Sequence, residues 1–386
     1  MVLERREGSA PRSRGMIVGL VLATSAYVLE IAVFPLLLPE IQHSFELTRR
    51  ELTWIVNVYA IAVAGCVLLA GWLGDKVGRF RIFGLGVVCF CAGTLAAAAA
   101  ESFAQIFAAR LAQGIGAGLF SPLIPVLLVS ASRGRPGRFL ALWNSFSGFV
   151  VAAAPLGTAG ALDLVGWHVV LCALVIVALP SLFLVLPNGN GGLDRPVHAQ
   201  KAMPVARALP GRPELFAYVA MNYGSILLFL FMAPLHIQKH GGTGDLAALG
   251  LGLVWACFTA VGLLIRNRID GRHIGLFLLA SPVCVWLGFA SLIALPNDTV
   301  WVAIAGILIG TGFAFGNAPS TTLILRHAGE TALSLAASLD ITCARLGSAL
   351  AIALIGPLES GLAVLAGVGL LSALTIRCAL PFRRSA

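Results

Sequence analysis

The chain has 386 residues, 59% of them hydrophobic and only 11% charged, whereas a soluble domain carries roughly 25% charge. So apolar a chain cannot hide its surface from water, which excludes an ordinary soluble enzyme and makes the lipid bilayer its solvent. The formal net charge of +9 comes from short basic clusters between apolar runs, not from the continuous stripe that nucleic acid requires, so nucleic acid is excluded as a partner.

Twelve apolar runs of about 20 residues follow one another, over about 16–38, 52–73, 80–100, 104–130, 138–162, 166–187, 213–235, 246–266, 273–295, 299–325, 332–356 and 359–380. Each is long enough for a helix to cross roughly 30 Å of hydrocarbon. Helices satisfy their backbone polar groups internally, as lipid demands. The first run continues too far past Met16 to be a secretory signal and reads as a span. The expected fold class is an all-α membrane protein with twelve transmembrane helices.

Run one carries Tyr27 and, well inside it, Glu30 in LEIAVFP. Charge within lipid is costly and marks function. Run two holds Asn57 and ends in GWLGDKVGRFR, residues 71–81, an acid and three bases among three glycines. Gly71, Gly74 and Gly78 permit a tight turn and close helix approach. Lys76, Arg79 and Arg81 hold that turn at the cytoplasmic surface. Asp75 is placed to meet the positively polarised N-terminus of run eleven and so to latch one half of the molecule to the other; a plain solvated loop is the competing reading.

Run four contains Arg110 and a GxxxG packing face at Gly114 and Gly118. Glu30 and Arg110 both fall beyond mid-membrane, so they read as a proton-coupling pair, against the alternative of a fixed structural ion pair. In run five, Pro155 and Gly157 are expected to kink the helix and permit close packing.

Residues 188–212, NGNGGLDRPVHAQKAMPVARALPGR, form the longest polar, Gly/Pro-rich segment and read as a linker. Six runs precede it and six follow, giving an expected division into a tail at 1–15, a six-helix bundle at 16–187, the linker, a second bundle at 213–380 and a tail at 381–386. The halves echo each other, because GLLIRNRIDGR at 262–272 stands after run eight where GWLGDKVGRFR stands after run two. Such duplication suits a carrier that rocks one half against the other.

In the second half, Asn222 and Tyr223, Trp255 and Asn317 are polar or amphipathic positions within runs. With Tyr27 and Asn57 they are candidates to line a substrate cavity, against the alternative of interhelical hydrogen bonds and packing. Run eleven, SLDITCARLGSAL, adds Asp340 and Arg345. Five residues put them about 140° apart on the helix, so they have different partners. Asp340 is read as receiving a cationic part of the substrate, against the alternative of a hydrated position near the cytoplasmic end, and Arg345 as helix-packing machinery. Trp54, Trp72, Trp167 and Trp301 near run ends read as interfacial anchors.

Lys and Arg sort by side. Twenty-one lie at the N-terminus, in the even-numbered gaps and at the C-terminus, and only Arg49, Arg50 and Lys239 lie on the opposite side. The positive-inside rule makes both termini cytoplasmic. His236 and His240 share a helix face, but Ile237 stands where H-E-x-x-H needs its glutamate, so no metal site is read there. No G-x-x-x-x-G-K-[ST] loop occurs, so ATP does not drive this chain.

The pattern G-x-L-x-D-K-x-G-R-x-R at residues 71–81 resembles the loop signature of the major facilitator superfamily. RLAQGIGAG, residues 110–118, resembles the R-x-x-Q-G-x-G motif of its drug:proton antiporters. Further likeness runs through LTWIVNVYAIAVAG and ARLGSALAIALIG, which are similar to the fourteen-helix drug-efflux branch, although only twelve runs stand here. The span-five motif G-P-x-x-G-G is partly present in AAAPLGTAG, with Ala154 in place of the leading glycine. The resemblance implies two pseudo-symmetric bundles, an acid at the Glu30 position, and no cofactor beyond the proton gradient. The expected function is proton-coupled efflux of small organic compounds by a monomeric carrier in the bacterial inner membrane. Proton-coupled uptake of a metabolite is the alternative within transport, and a non-transporting membrane sensor the alternative of another class.

Overall fold

The structure, a computed structural model, describes residues 10–131, 136–187, 213–265 and 274–356. The expected linker at 188–212, the twelfth run at 359–380, the tail at 381–386 and the loop at 266–272 lie outside the described residues, as do the side chains of Trp72 and Asp75; of the tail expected at 1–15, residues 1–9 lie outside them and residues 10–15 are helical.

The described residues are helical throughout apart from short turns: α1 (Ala10–Ser44), α2 (Arg49–Val77), α3 (Arg79–Ala98), α4 (Phe103–Phe120), α5 (Leu123–Ala131), α6 (Pro136–Ala178), α7 (Pro180–Val185), α8 (Pro213–Lys239), α9 (Gly244–Ile265), α10 (Ile274–Ala294) and α11 (Thr299–Ile355). Nine helices among the described residues are long and apolar enough to cross a membrane. Large apolar side chains face outward from them, including Leu164, Ile176, Phe183 and Leu264, each more than 70% exposed. Lipid, not water, suits that surface.

Two of these elements contain more than one traverse. In α6 the dihedrals leave the helical region at Gly166 (φ 75°), dividing the runs expected as spans five and six. Helical dihedrals persist through Pro155, so the break falls at the glycine instead of the proline. Only a residue without a Cβ adopts that φ at no cost. In α11, Thr321 donates to Asp340 at 2.7 Å. A straight helix would hold residues 19 apart about 28 Å from each other, so α11 doubles back between them, and its two arms are the runs expected as spans ten and eleven. Both arms pack on α8: a methyl added at Gly316 would strike Asn222, and one at Gly347 would strike the Ala220 backbone.

Helix starts are set by local chemistry. Thr48 caps α2 and Glu51 returns the bond to the Thr48 backbone, a reciprocal capping box that starts the helix at Arg49, three residues before the apolar run. Asp298 caps α11 through the Val300 and Trp301 amides. Between α2 and α3 the chain turns on Gly78 alone, at φ 112°. The rest of the sequence expected as a turn, Gly71 to Val77, is helix.

Glycine brings α4 against two neighbours at once. A methyl at Gly114 or Gly118 would collide with α2 at Tyr59 or Val63, and one at Gly116 would lie 2.2 Å from the Phe90 nitrogen of α3. The GxxxG face packs on α2, and a second glycine face packs on α3. Gly71 and Gly157 have no such neighbour within 4 Å, so the close approach expected of them does not occur. The α6–α9 contact instead rests on Gly148 against Thr259 and Gly252 against Ala152.

The apolar core has a distinctive division. At the end carrying the 45–48 and 240–243 turns, one continuous cluster joins the first half (Leu37, Ile41, Leu52, Trp167) to the second (Phe229, Leu235, Leu251, Phe289). Toward the opposite end, one cluster belongs to the first half (Leu20, Phe83, Phe120) and another to the second (Leu215, Ile274, Leu323). Among the described residues, the apolar cluster shared by the two halves lies at the turn end.

Candidate functional site in the bundle interior

Glu30 stands deep in α1 and Arg110 two turns into α4, and the fold brings them together. Arg110 Nη1 donates to Glu30 Oε1 at 2.6 Å, and both residues are only 2% exposed. Two buried charges are tolerable only when paired and further hydrogen-bonded. Arg110 meets that need through Gln113, one turn along the same helix, and through the Ile55 carbonyl at 3.5 Å. The guanidinium also lies over the rings of Phe34 at 3.7 Å and Tyr59 at 4.3 Å, whose faces attract cations.

The network continues outward. Gln113 Nε2 donates to Thr94 Oγ1 at 2.9 Å, and Thr94 donates to the Phe90 carbonyl at 2.7 Å. A continuous polar chain thus ties α1, α4 and α3, with α2 contributing the Tyr59 ring and the Ile55 carbonyl. Gln113, Thr94, Phe34 and Tyr59 were not among the residues expected at the site. The signal for Gln113 was present: three residues from Arg110, it shares that helix face.

A second polar group crosses between the halves. Arg345 of α11 donates to the Tyr27 hydroxyl of α1, with its guanidinium 5.5 Å from the Tyr27 ring. Tyr59, Tyr223 and Glu30 are close enough to interact with it electrostatically. Arg345 was expected to be helix-packing machinery; the structure puts it in contact with the opposite half.

Asp340 is buried and accepts from Thr321 through one oxygen, and its other oxygen, Oδ1, has no hydrogen-bond partner. Asn57 Oδ1, Tyr59 Oη and Trp255 Nε1 are likewise buried without partners. Buried polar atoms are nearly always satisfied, so these orphans stand out among the described residues. Tyr223 stands edge-on to Phe313 at 4.9 Å, near Asn317. Asn222 combines an orphan, its Nδ2, with a packing role. It is completely buried, accepts from Ser281 at 3.2 Å and presses on Gly316, the arrangement of an interhelical contact.

Of the latch residues, Lys76 and Arg81 are exposed, Gly74 lies against Leu123 and Arg79, and Asp75 is in the last turn of α2. Trp54 and Trp301 are 44% and 39% exposed at helix starts, as anchors are. Trp167 is buried, donating to Ser44 at 3.2 Å and stacking on His168, so it fastens α6 to α1 and does not face lipid.

Comparison with known proteins agrees with this arrangement. A cephamycin export protein of Amycolatopsis lactamdurans is 31% identical over 196 residues, 50% of this chain and 40% of that protein. A methylenomycin A resistance protein of Streptomyces coelicolor is 33% identical over 202 residues, 50% of this chain and 38% of that protein. The matched region thus spans about two fifths of the length of these curated relatives. A solved D-xylose-proton symporter superposes with a TM-score of 0.72 at 15% identity, covering 96% of this chain and 97% of that one, which shows a shared fold. The sequence profile of the Major Facilitator Superfamily matches residues 19–352, nearly every position described above, and the chain belongs to that family.

Proposed function

We propose that the protein is a secondary transporter that exports small organic compounds in exchange for protons, and that it works without cofactor or catalysis. Twelve helices in two six-helix bundles, 16–187 and 213–380, with both termini cytoplasmic in a bacterial plasma membrane, complete this reading.

One observation carries it: a carboxylate and a guanidinium paired at 2.6 Å in the interior of a lipid-facing helical bundle. An ion pair is a poor source of stability in such a place, and intramembrane charge ordinarily serves transport. Protonation of Glu30 discharges the pair, while access to water on one side or the other decides whether the proton is taken up or released. Arg110 holds the carboxylate in place, Gln113 and Thr94 hold Arg110, and the orphaned polar atoms of Asn57, Trp255 and Asp340 receive the cargo. Asp75, Lys76, Gly78, Arg79 and Arg81 act as the latch between the two facing states. Gly71 provides the open space beside it, and Asp340 takes a cationic part of the cargo. The names of the curated relatives, export and resistance proteins, support the outward direction.

Reconstitution in vesicles with an imposed pH gradient tests this reading, using a panel of cationic and neutral aromatic dyes. Dye movement coupled to proton flow in the opposite direction is expected. Dye movement indifferent to the gradient overturns it.

A further inference from the structure

Arg345 spends one N–H on Tyr27, and among the described residues no carboxylate forms an ion pair with it. Glu30, the acid that acts on it electrostatically, is already committed to Arg110 at 2.6 Å. A guanidinium offers five donors and no acceptor. Tyr27, having accepted from Arg345, keeps its own O–H to donate. The Tyr59 hydroxyl is buried without a partner among the described residues and interacts electrostatically with both Tyr27 and Arg345. Arg345 thus keeps donors beyond the one given to Tyr27, and no carboxylate among the described residues forms an ion pair with it.

A guanidinium with unspent donors suits an oxyanion, to which it is the best-matched side chain. The rings of Tyr27, Tyr59 and Tyr223 beside it suit an apolar, aromatic body. We propose that Arg345, Tyr27 and Tyr59 form an oxyanion-recognition site between the two halves, and that transported compounds include aromatic molecules bearing a carboxylate or similar group. The inference rests on the transport reading above and adds a substrate class to it. A bound oxyanion takes the place of Tyr27 on Arg345, so occupancy loosens a contact that ties the halves together.

The test is calorimetric titration of the full chain in nanodiscs at neutral pH, without a gradient, with naphthoate, its neutral amide and naphthylmethylammonium. Naphthoate is expected to bind tighter than the amide by about tenfold or more, the worth of a charge-assisted hydrogen bond. Arg345→Gln removes that preference and leaves amide binding unchanged; Arg345→Lys restores part of it. Tyr59→Phe weakens naphthoate alone, and keeps the proposal testable if Arg345→Gln does not fold. Equal binding of all three probes, preference for the cation, no naphthoate binding at millimolar concentration, or equal losses for naphthoate and amide in Arg345→Gln would each overturn the proposal. Since no gradient is imposed, such a failure leaves proton-driven export standing. Naphthoate binding without proton-driven flux in vesicles would sink the export reading alone.

Discussion

Arg110 and Glu30, eighty positions apart in the chain, share a hydrogen bond of 2.6 Å in a site closed to solvent. Every further bond Arg110 makes, to Gln113, to Ile55 and to two aromatic faces, fixes the guanidinium beside the carboxylate proposed above to carry the proton. Glu30→Gln keeps an acceptor for Arg110 and removes the titration. The expected result is normal membrane yield with loss of proton-driven flux. Glu30→Leu strands a buried cation, which costs about 3–5 kcal/mol, and yield falls as well. Undiminished pH-driven flux by Glu30→Gln would take Glu30 out of the mechanism.

The same substitution at two glycines separates packing from motion. Gly116→Ala forces a methyl against the Phe90 backbone and is expected to destabilise by about 1–3 kcal/mol, as overpacking does. Gly71→Ala enters open space and is expected to melt at or above the parent temperature, since alanine favours helix. Thermal unfolding in detergent, followed by tryptophan fluorescence, reads both.

The reversal within α11 is open to direct trapping. Cysteines replacing Thr321 and Asp340, in a chain whose native cysteines are serine, are expected to form a disulfide on mild oxidation, because the native side chains touch at 2.7 Å. A continuous straight helix would hold them about 28 Å apart, and no oxidant would then join them.

Asp75→Asn tests the latch. Substrate binding at equilibrium is expected to stay near the parent value while exchange between the two faces slows, measured as a fall in turnover without a matching change in Kd. A loss of binding as large as the loss of turnover would contradict a latch.

Much of this was legible from residues alone. Hydropathy located the runs, since lipid permits little else, and the expense of charge in lipid picked out Glu30 and Arg110 before their contact was known. Helix ends were less legible, because α2 starts on a capping box outside its apolar run and the α2–α3 turn shrinks to Gly78. Partners across the fold were invisible. Nothing local marks Thr94 or Tyr59 as members of the Arg110 network, and helical rotation separates Asp340 from Arg345 without saying that one meets Thr321 and the other Tyr27. Glycine spacing misled at Gly71 and Gly157, where a small residue permits an approach that no neighbour makes.

The apolar cluster shared by both halves has a price beyond stability. On the proposed transport reading, facing the other way requires parting the cluster that holds Leu37 and Ile41 together with Phe229 and Leu235 and letting water or cargo in between, at about 25 cal/mol for each Å² wetted. On that reading, whatever part of this cost the reversed shape does not recover by closing its other end is met by cargo and proton binding that shape more strongly than the present one. A compound that fills the interior without favouring reversal will plug the carrier as an inhibitor, however tightly it holds.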